Sequence, residues 1–137
     1  MKMFSLIGTI VLAFTSMIAE EVEKLSNLDR MYCRITYYHP YQDKWGSRVA
    51  CPRTNRAKQG ITVAAHPSFK FGTKVYIPEL AGKVGDGYFL VQDRGAWVTT
   101  KKASKGKHYV FDVFVSCKNS YSKMKKNNPY MWVYASK

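Results

Sequence analysis

Acidic residues are scarce in this 137-residue chain: 9 Asp and Glu stand against 22 Lys and Arg, which gives a formal net charge of +13. Such an imbalance favours polyanionic partners, namely nucleic acid, anionic lipid headgroups or the anionic polymers of a cell wall. It carries no information about the fold. The length corresponds to one domain with, at most, a removable N-terminal segment.

The sequence also lacks internal repeats, low-complexity tracts and any long hydrophobic run. Its longest apolar stretch, residues 4–14, is shorter than the roughly 20 residues of a membrane-spanning helix. No histidine or cysteine has a partner at the spacing of metal ligands, so we expect neither a metal site nor a cofactor. The 10 Tyr, 7 Phe and 3 Trp are enough for one compact core with some rings left exposed.

Cysteine is rare, and the three present are Cys33, Cys51 and Cys117. No lipobox precedes Cys33, so a lipoprotein is not expected. A disulfide would leave one thiol over, and three pairings are open. We favour a Cys33–Cys51 disulfide because it closes the shortest loop.

The first 19 residues follow the plan of a secretory signal peptide, with a basic residue, an apolar stretch and small residues before Ala19. We therefore predict a signal peptide at residues 1–19, a linker at residues 20–31 and the folded domain at residues 32–137. The protein would be secreted, periplasmic or held in the cell envelope. An uncleaved anchor or an amphipathic helix is the alternative. Export makes nucleic acid an unexpected partner and favours envelope polymers.

Beyond the linker, segments rich in β-formers alternate with turn residues and one long loop at residues 39–58. The predicted strands are residues 32–38, 61–65, 74–77, 88–92, 109–115 and 130–135, and the predicted short helix is residues 119–126. Six short strands with one short helix predict an all-β fold, a small six-stranded barrel. We place Trp132 in the core because its strand is strongly apolar.

Two carboxylates stand out, because Asp93 ends one predicted strand and Asp112 lies in the middle of another. Side chains alternate along a strand, so Asp112 shares a face with Val110 and Phe114. An acid among apolar neighbours is unfavourable unless it is paired or protonated. One interpretation is a general acid with a raised pKa. The other is a structural ion pair with Arg94 that joins two strands.

Four segments around these aspartates, together with Thr36-Tyr37-Tyr38, resemble the 3D domain, a family named for three aspartates and related to the MltA-type lytic transglycosylases. The segments are residues 61–67 (ITVAAHP), 71–78 (FGTKVYIP), 91–96 (VQDRGA) and 110–114 (VFDVF). The likeness extends over roughly residues 34–135. As a set the motifs are moderately specific, whereas each alone is weak.

The resemblance implies a double-psi β-barrel that cleaves the bond between N-acetylmuramic acid (MurNAc) and N-acetylglucosamine (GlcNAc) in peptidoglycan. Asp112 matches the catalytic aspartate of MltA-type enzymes, and Asp93 matches its partner. One carboxyl group suffices because the MurNAc C6 hydroxyl attacks its own C1 to give a 1,6-anhydro end, whereas ordinary hydrolases use two carboxylates and water. A nearby Asp93 would raise the pKa of Asp112 by like-charge repulsion.

The sequence departs from this family at the position before Pro67, where His66 replaces the usual aspartate. Residues 94–99 also differ, and an insertion extends through Lys107. The Asp93-Arg94-Gly95 triplet is similar to RlpA-type barrels, which cleave peptidoglycan, and to expansins, which loosen walls without hydrolysis. A non-catalytic, expansin-like wall-binding module is therefore the alternative function. A third hypothesis, a basic secreted nuclease or nucleic-acid binder, follows from the charge and the aromatics.

For substrate binding we expect Trp45 and Trp97 to stack on sugar rings, with Tyr37, Arg94 and His66 completing the set. The other interpretation of His66 is a loop histidine satisfied by a backbone carbonyl. The basic run at residues 101–107 is either a solvated loop or a basic rim beside the groove. The expected partners are peptidoglycan glycan strands and anionic wall polymers, not nucleic acid, and the protein is expected to be a monomer.

Overall fold

The structure, a computed structural model, describes residues 2–125 and 129–137. Its helices are α1 (Lys2–Ser26), α2 (Ala96–Thr99) and α3 (Lys118–Met124), and its strands are β1 (Asp29–Tyr38), β2 (Thr62–Ala64), β3 (Lys74–Tyr76), β4 (Tyr88–Asp93), β5 (Val110–Phe114) and β6 (Tyr130–Ala135). Two 3₁₀ turns lie at Pro78–Leu80 and Lys102–Ser104. Each predicted strand has its counterpart, and α3 corresponds to the predicted short helix.

The six strands close into one barrel in the order β1-β5-β2-β4-β3-β6. The pairs β1–β5 and β2–β4 are parallel, and the other neighbours are antiparallel. If β1, β2 and β3 exchange places with β4, β5 and β6 respectively, the same strands remain neighbours. This two-fold arrangement with two parallel crossings is that of a double-psi barrel. The predicted six-stranded barrel is confirmed.

Side chains alternate across the barrel wall, as they do along any strand. On β1 the inward set is Cys33, Ile35 and Tyr37, and the outward set is Arg34, Thr36 and Tyr38. The inward residues join a single apolar core that includes Phe69, Phe89 and Phe111, all fully buried. The interior is therefore filled, and any ligand must bind to the outward face or the ends of the barrel.

The outward face of β5 is covered by residues 94–107, which contain α2 and the second 3₁₀ turn. We call these residues the cover segment. Within it, Val98 packs against Ala64 of β2 and Val110 of β5, and the three form a second, smaller core outside the barrel. One part of the barrel wall is thus shielded from solvent by an insertion between β4 and β5.

Local hydrogen bonds hold the cover segment in shape although two of its residues have a strained backbone. Lys101 and Lys105 flank its 3₁₀ turn with φ of 54° and 53°, a left-handed conformation that costs roughly 1–2 kcal/mol for a residue other than glycine. Buried Ser104 stabilises the turn, because its Oγ accepts the His108 N–H at 3.1 Å and lies 2.6 Å from the His108 carbonyl oxygen.

The N-terminal helix α1 leaves its described apolar side chains in solvent, among them Leu12 and Phe14. It contacts the barrel where Tyr88 Oη donates to Glu21 Oε1 at 3.3 Å. The helix continues past Ala19, the predicted cleavage position, and β1 begins inside the predicted linker. No helix in the described parts of the chain is long and apolar enough to span a membrane. The signal peptide stays a prediction.

The expected Cys33–Cys51 disulfide does not form. All three cysteines lie within the described residues, and all three are free thiols. Cys33 is buried in the core on β1, whereas the Cys51 N–H is bonded to the carbonyl of Gln92 on β4. Two strands separate β1 from β4 in either direction around the barrel. The two sulfurs therefore lie on opposite walls, and short separation in sequence was a poor guide to proximity.

Trp132 is not in the core, contrary to our expectation, and 40% of its surface is exposed. On β6 the alternate residues Met131, Val133 and Ala135 face inward, so Trp132 must face outward. The strand is apolar on both faces, and its composition gave no indication of which face was buried.

Candidate active site

Asp112 lies at the centre of β5, on the outward face that the cover segment shields. Its strand neighbours are Thr36 of β1 on one side and Ala64 of β2 on the other. Thr36 Oγ1 donates a hydrogen bond of 2.9 Å to Asp112 Oδ1. The predicted alternation is correct, since the inward neighbours Phe111 and Val113 belong to the main core. The carboxyl group is thus held by the wall and partly buried.

The environment of Asp112 raises its pKa to about 7. Burial is the largest cause, because a shielded site disfavours the charged form. The nearby Asp93 carboxylate raises it further, while the hydrogen bond from Thr36 lowers it. The like-charge effect expected from the sequence therefore has the right sign but is secondary. A carboxyl group with a pKa near neutrality can give up a proton and take one back, which is what a general acid/base requires.

Asp93 reaches the same level of the wall because of a register shift. β2 pairs Val63 with Val91 but the next residue, Ala64, with Asp93, so β4 holds one extra residue at this point. Ala64 therefore has Asp93 on one side and Asp112 on the other. Two strand spacings put the two Cα atoms about 10 Å apart, and the small Ala64 side chain leaves space between the carboxyl groups.

The Asp93 carboxylate is fixed by three hydrogen bonds. Oδ1 accepts the backbone N–H groups of Ala50 and Arg94, each at 2.9 Å, and Oδ2 accepts the hydroxyl of Tyr38 at 2.9 Å. Burial and the neighbouring Asp93 raise the pKa of Tyr38, so its hydroxyl stays protonated and continues to donate. Asp93 is consequently a rigid acceptor at the edge of the site.

The alternative interpretation of Asp112 as an ion-pair partner of Arg94 is wrong. Arg94 Nη2 donates to the carbonyl of Phe69 at 2.7 Å, Nη1 donates to that of Ala65 at 3.2 Å, and the guanidinium lies 4.1 Å from the centre of the Phe71 ring. Arg94 therefore clamps the loop that follows β2. Neither aspartate forms a salt bridge with any residue that the structure describes.

A cleft of about 720 Å³ opens over the two aspartates, and Ala64 and Arg94 also line it. Trp45 and Trp97, both predicted to stack on sugars, lie along its rim and are 57% and 56% exposed. Lys102 of the cover segment lies 4.8 Å from the centre of the Trp97 ring. This contact favours the basic-rim interpretation of residues 101–107.

A second space of about 390 Å³, which we call the side cavity, adjoins the cleft. Asp112, Trp97 and Gln42 line both spaces. Asp112 therefore lies at a junction, with room for a ligand on either side of its carboxyl group. A group in this position can act on a bond in the middle of a chain that occupies both spaces.

Tyr37 lines the side cavity rather than the cleft, and His66 lines neither space. Tyr37 faces the barrel core, and its buried hydroxyl has no hydrogen-bond partner among the described residues. His66 Nδ1 accepts the Ser68 N–H at 3.0 Å, and its ring packs edge-on against Tyr109. His66 is therefore a loop histidine bonded to the backbone, but its partner is an N–H group and not the expected carbonyl.

Two residues of the site, Thr36 and Tyr38, were not predicted from the sequence. Thr36 binds Asp112 and Tyr38 binds Asp93, each with its side chain on the outward face of β1. The alternation along β1 could have indicated both residues. Cys33, Ile35 and Tyr37 alternate on the inward face, so Thr36 and Tyr38 must lie on the outward face. Counting along β1 would have added Tyr38, which shares the outward face with Thr36.

The described residues hold no cluster of three or more His, Cys, Asp or Glu that could bind a metal ion. No protein-family model matches the chain, and no similar sequence was found among curated proteins.

Proposed function

We propose that the protein is a peptidoglycan lytic transglycosylase that cleaves the MurNAc–GlcNAc bond with Asp112 as its single acid/base. The observation that carries the proposal is a carboxyl group with a pKa of about 7 at the junction of two spaces. Its hydrogen bond from Thr36 fixes its orientation, and no described cation neutralises it. A glycan that occupies both spaces would present a glycosidic oxygen to this proton.

The reaction needs one proton donor that later becomes the acceptor. Asp112 donates its proton to the glycosidic oxygen, and the bond from that oxygen to C1 of MurNAc breaks, releasing the 4-hydroxyl of GlcNAc. Positive charge develops on C1 and the ring oxygen of MurNAc. The C6 hydroxyl then attacks C1, and the Asp112 carboxylate takes the hydroxyl proton. The product is a 1,6-anhydro end, and Asp112 returns to its starting state.

Asp93 has a supporting role in this scheme. Its three hydrogen bonds hold a carboxylate at a fixed distance from Asp112, where it raises the pKa of the acid. Its charge would also stabilise the developing cation on the sugar, an electrostatic effect that needs no movement of the protein.

Other features of the chain support a wall glycan as the substrate. Trp45 and Trp97 present exposed ring faces beside the aspartates, suited to the apolar faces of sugars. The net charge of +13 suits the anionic polymers of a cell envelope. The exposed apolar surface of α1 is what we expect of an export signal that is removed without loss to the domain.

A second candidate function, a wall-binding module without catalysis, is favoured by one observation. His66, which replaces the third aspartate, lies outside the cleft and contributes no carboxyl group to it. If a third carboxylate is needed for turnover, the cleft would bind glycan without cleaving it.

The test is digestion of purified sacculi with analysis of the soluble products by mass spectrometry. We expect 1,6-anhydro muropeptides from the wild type. Because a positioned general acid contributes about 10²–10⁴-fold to the rate, Asp112→Asn should abolish nearly all product. The matched control is Asp29→Asn, an exposed aspartate at the start of β1, which should cleave like the wild type.

Two outcomes would contradict the proposal. Full activity in a folded Asp112→Asn variant would remove the residue from the mechanism. A wild type that sediments with sacculi but releases no anhydro product across pH 4–8 would establish the binding module instead.

A further inference from the structure

The outward side chains of β1 form one continuous line along the barrel wall. From the C-terminal end of the strand they are Tyr38, Thr36, Arg34, Tyr32 and Arg30. The line begins in the cleft, because its first two members bond to Asp93 and Asp112. Tyr38 and Arg30 are eight residues apart in an extended strand, which separates them by about 27 Å. The line therefore continues well beyond the two aspartates.

Arg34 connects the catalytic region to the rest of the line. It lines the side cavity together with Asp112, and its guanidinium carbon lies 5.5 Å from the centre of the Tyr130 ring on β6. Its Nε is buried and has no hydrogen-bond partner among the residues described by the structure. A cation with an unused donor thus lies where the side cavity meets β6.

Beyond Arg34, three aromatic rings form a platform on β1 and β6. Tyr32 lies 5.7 Å from Tyr130 in a stacked arrangement and 5.1 Å from Trp132, measured between ring centres. Tyr32 and Trp132 are 41% and 40% exposed. The guanidinium of Arg30 lies 3.8 Å above the Trp132 ring at the far end. The platform is held in place by ring contacts and remains open to solvent.

The charge of this surface has one sign. The outward positions of β1 and β6 carry arginines, aromatic residues and one threonine, and none is acidic. Flat rings suit the apolar faces of sugars, and arginines bind carboxylates. The chemistry that this combination recognises is an extended glycan that carries carboxylate groups, such as a peptidoglycan strand with its acidic substituents.

We propose that these residues form a binding track, the β1 track, which holds an extended anionic glycan strand that leads away from Asp112. The proposal rests on the proposed glycan substrate and adds where the strand runs and which chain length the protein prefers. Long strands occupy the cleft, the side cavity and the platform together. Short glycans occupy only the first two, so they bind more weakly and are cleaved less efficiently.

The experiment measures sedimentation with sacculi and, separately, kcat/KM for long glycan strands and for a tetrasaccharide. The variants are Trp132→Thr and Arg30→Gln, both beyond the side cavity, and the controls are Tyr41→Ser and Arg53→Gln, an exposed ring and an exposed arginine away from the track. Each track variant should weaken sacculus binding by about two- to tenfold, given the usual strength of ring and cation contacts. The ratio of kcat/KM for long strands to that for the tetrasaccharide should fall in parallel.

The outcomes separate this inference from the proposed function. Sedimentation needs no turnover, so a wild type that cleaves nothing but loses sacculus binding in Trp132→Thr supports the track while the enzyme proposal fails. Track variants that bind sacculi as the wild type does, or that lower both kcat/KM values equally, overturn the track. Trp132-dependent binding to a single-stranded oligonucleotide or to anionic lipid vesicles, without binding to sacculi, also overturns it.

Discussion

The two outward faces of the barrel wall are built from the same alternating strands but differ in what lies above them. On β5 the cover segment shields the wall, and a carboxyl group there has its pKa raised to about 7. On β1 and β6 the rings of Tyr32 and Trp132 contact, within the described chain, only neighbouring side chains such as Arg30 and His108 on their outward side, and they remain 41% and 40% exposed. The barrel therefore positions Asp112, whereas the cover segment buries its carboxyl group and so raises its pKa.

The largest effect on activity is expected from filling the space between the two aspartates on the covered face. Ala64 lies between the two aspartates and is almost fully buried, so Ala64→Leu should fill the space that a sugar would occupy. We expect a loss of about 10²-fold or more in release of anhydro products, comparable with loss of the acid itself. Ala64→Gly, which keeps the space open, should retain activity. Equal activity in a folded Ala64→Leu protein would mean that cleavage occurs elsewhere.

The free energy of unfolding should depend on pH because the carboxyl group of Asp112 is buried. The folded pKa of Asp112, about 7, lies above the unfolded value of about 4, so the folded state holds the proton more tightly between these limits. Stability is therefore lost as the pH rises from about 4 to 7 and stays reduced above 7. Asp112→Asn should be more stable than the wild type at pH 8, by on the order of 2–4 kcal/mol, and similar at pH 4.

Urea denaturation of the two proteins at both pH values measures this difference, with Asp29→Asn as the control for an exposed aspartate. A stability difference that does not change with pH would show that Asp112 has no raised pKa.

A smaller effect should follow from loosening the cover. Val98→Ala removes two methyl groups from the outer core and admits water to the face of Asp112, which lowers the pKa of the acid. The alkaline limb of the pH profile for cleavage should then move to lower pH. Val84→Ala, an equally buried change in the main core, should reduce stability without moving that limb. An equal shift of the alkaline limb in both variants would show that the cover segment does not set the pKa of Asp112.

The smallest effect is expected on the open face. Binding to sacculi should weaken as salt rises, because exposed charges are screened within about 8 Å at physiological ionic strength. Arg30 and Arg34 are the cations concerned, since both lie on the outward face of β1 beside aromatic rings. An ion pair between an exposed arginine and a glycan carboxylate contributes about 0.2–1 kcal/mol to binding. Arg30→Gln should therefore bind roughly two- to fivefold more weakly at low salt and depend less on salt. A salt dependence identical to that of the wild type would indicate that the positive charge acts elsewhere.

The fold and the position of Asp112 were accessible from the sequence because both depend on simple alternation. Six short strands predicted the barrel, and Asp112 shares its face with Val110 as a period of two requires. The covering of that face was not accessible. It depends on how residues 94–107 fold back onto β5, and this long-range packing leaves no periodic signal.

The expectation that Asp93 lies near Asp112 agrees with the structure, but the extra residue in β4 that aligns the two aspartates cannot be read from composition. The errors have specific causes of their own. Trp132 was assigned to the wrong face because its strand carries large apolar residues on both sides. The Cys33–Cys51 disulfide failed because the barrel order places the strands that carry or anchor the two cysteines on opposite walls.

The pairing of β1 determines how late in folding the site around Asp112 can form. β1 pairs only with β5 and β6, the last strands to be synthesised, and the contact between Thr36 and Asp112 spans 76 residues. Contacts at such separation form late in folding because a long loop must first close. Until the C-terminal part of the chain is in place, Asp112 is an ordinary solvated carboxylate. A chain that crosses a membrane unfolded would therefore carry no active acid until it folds on the far side.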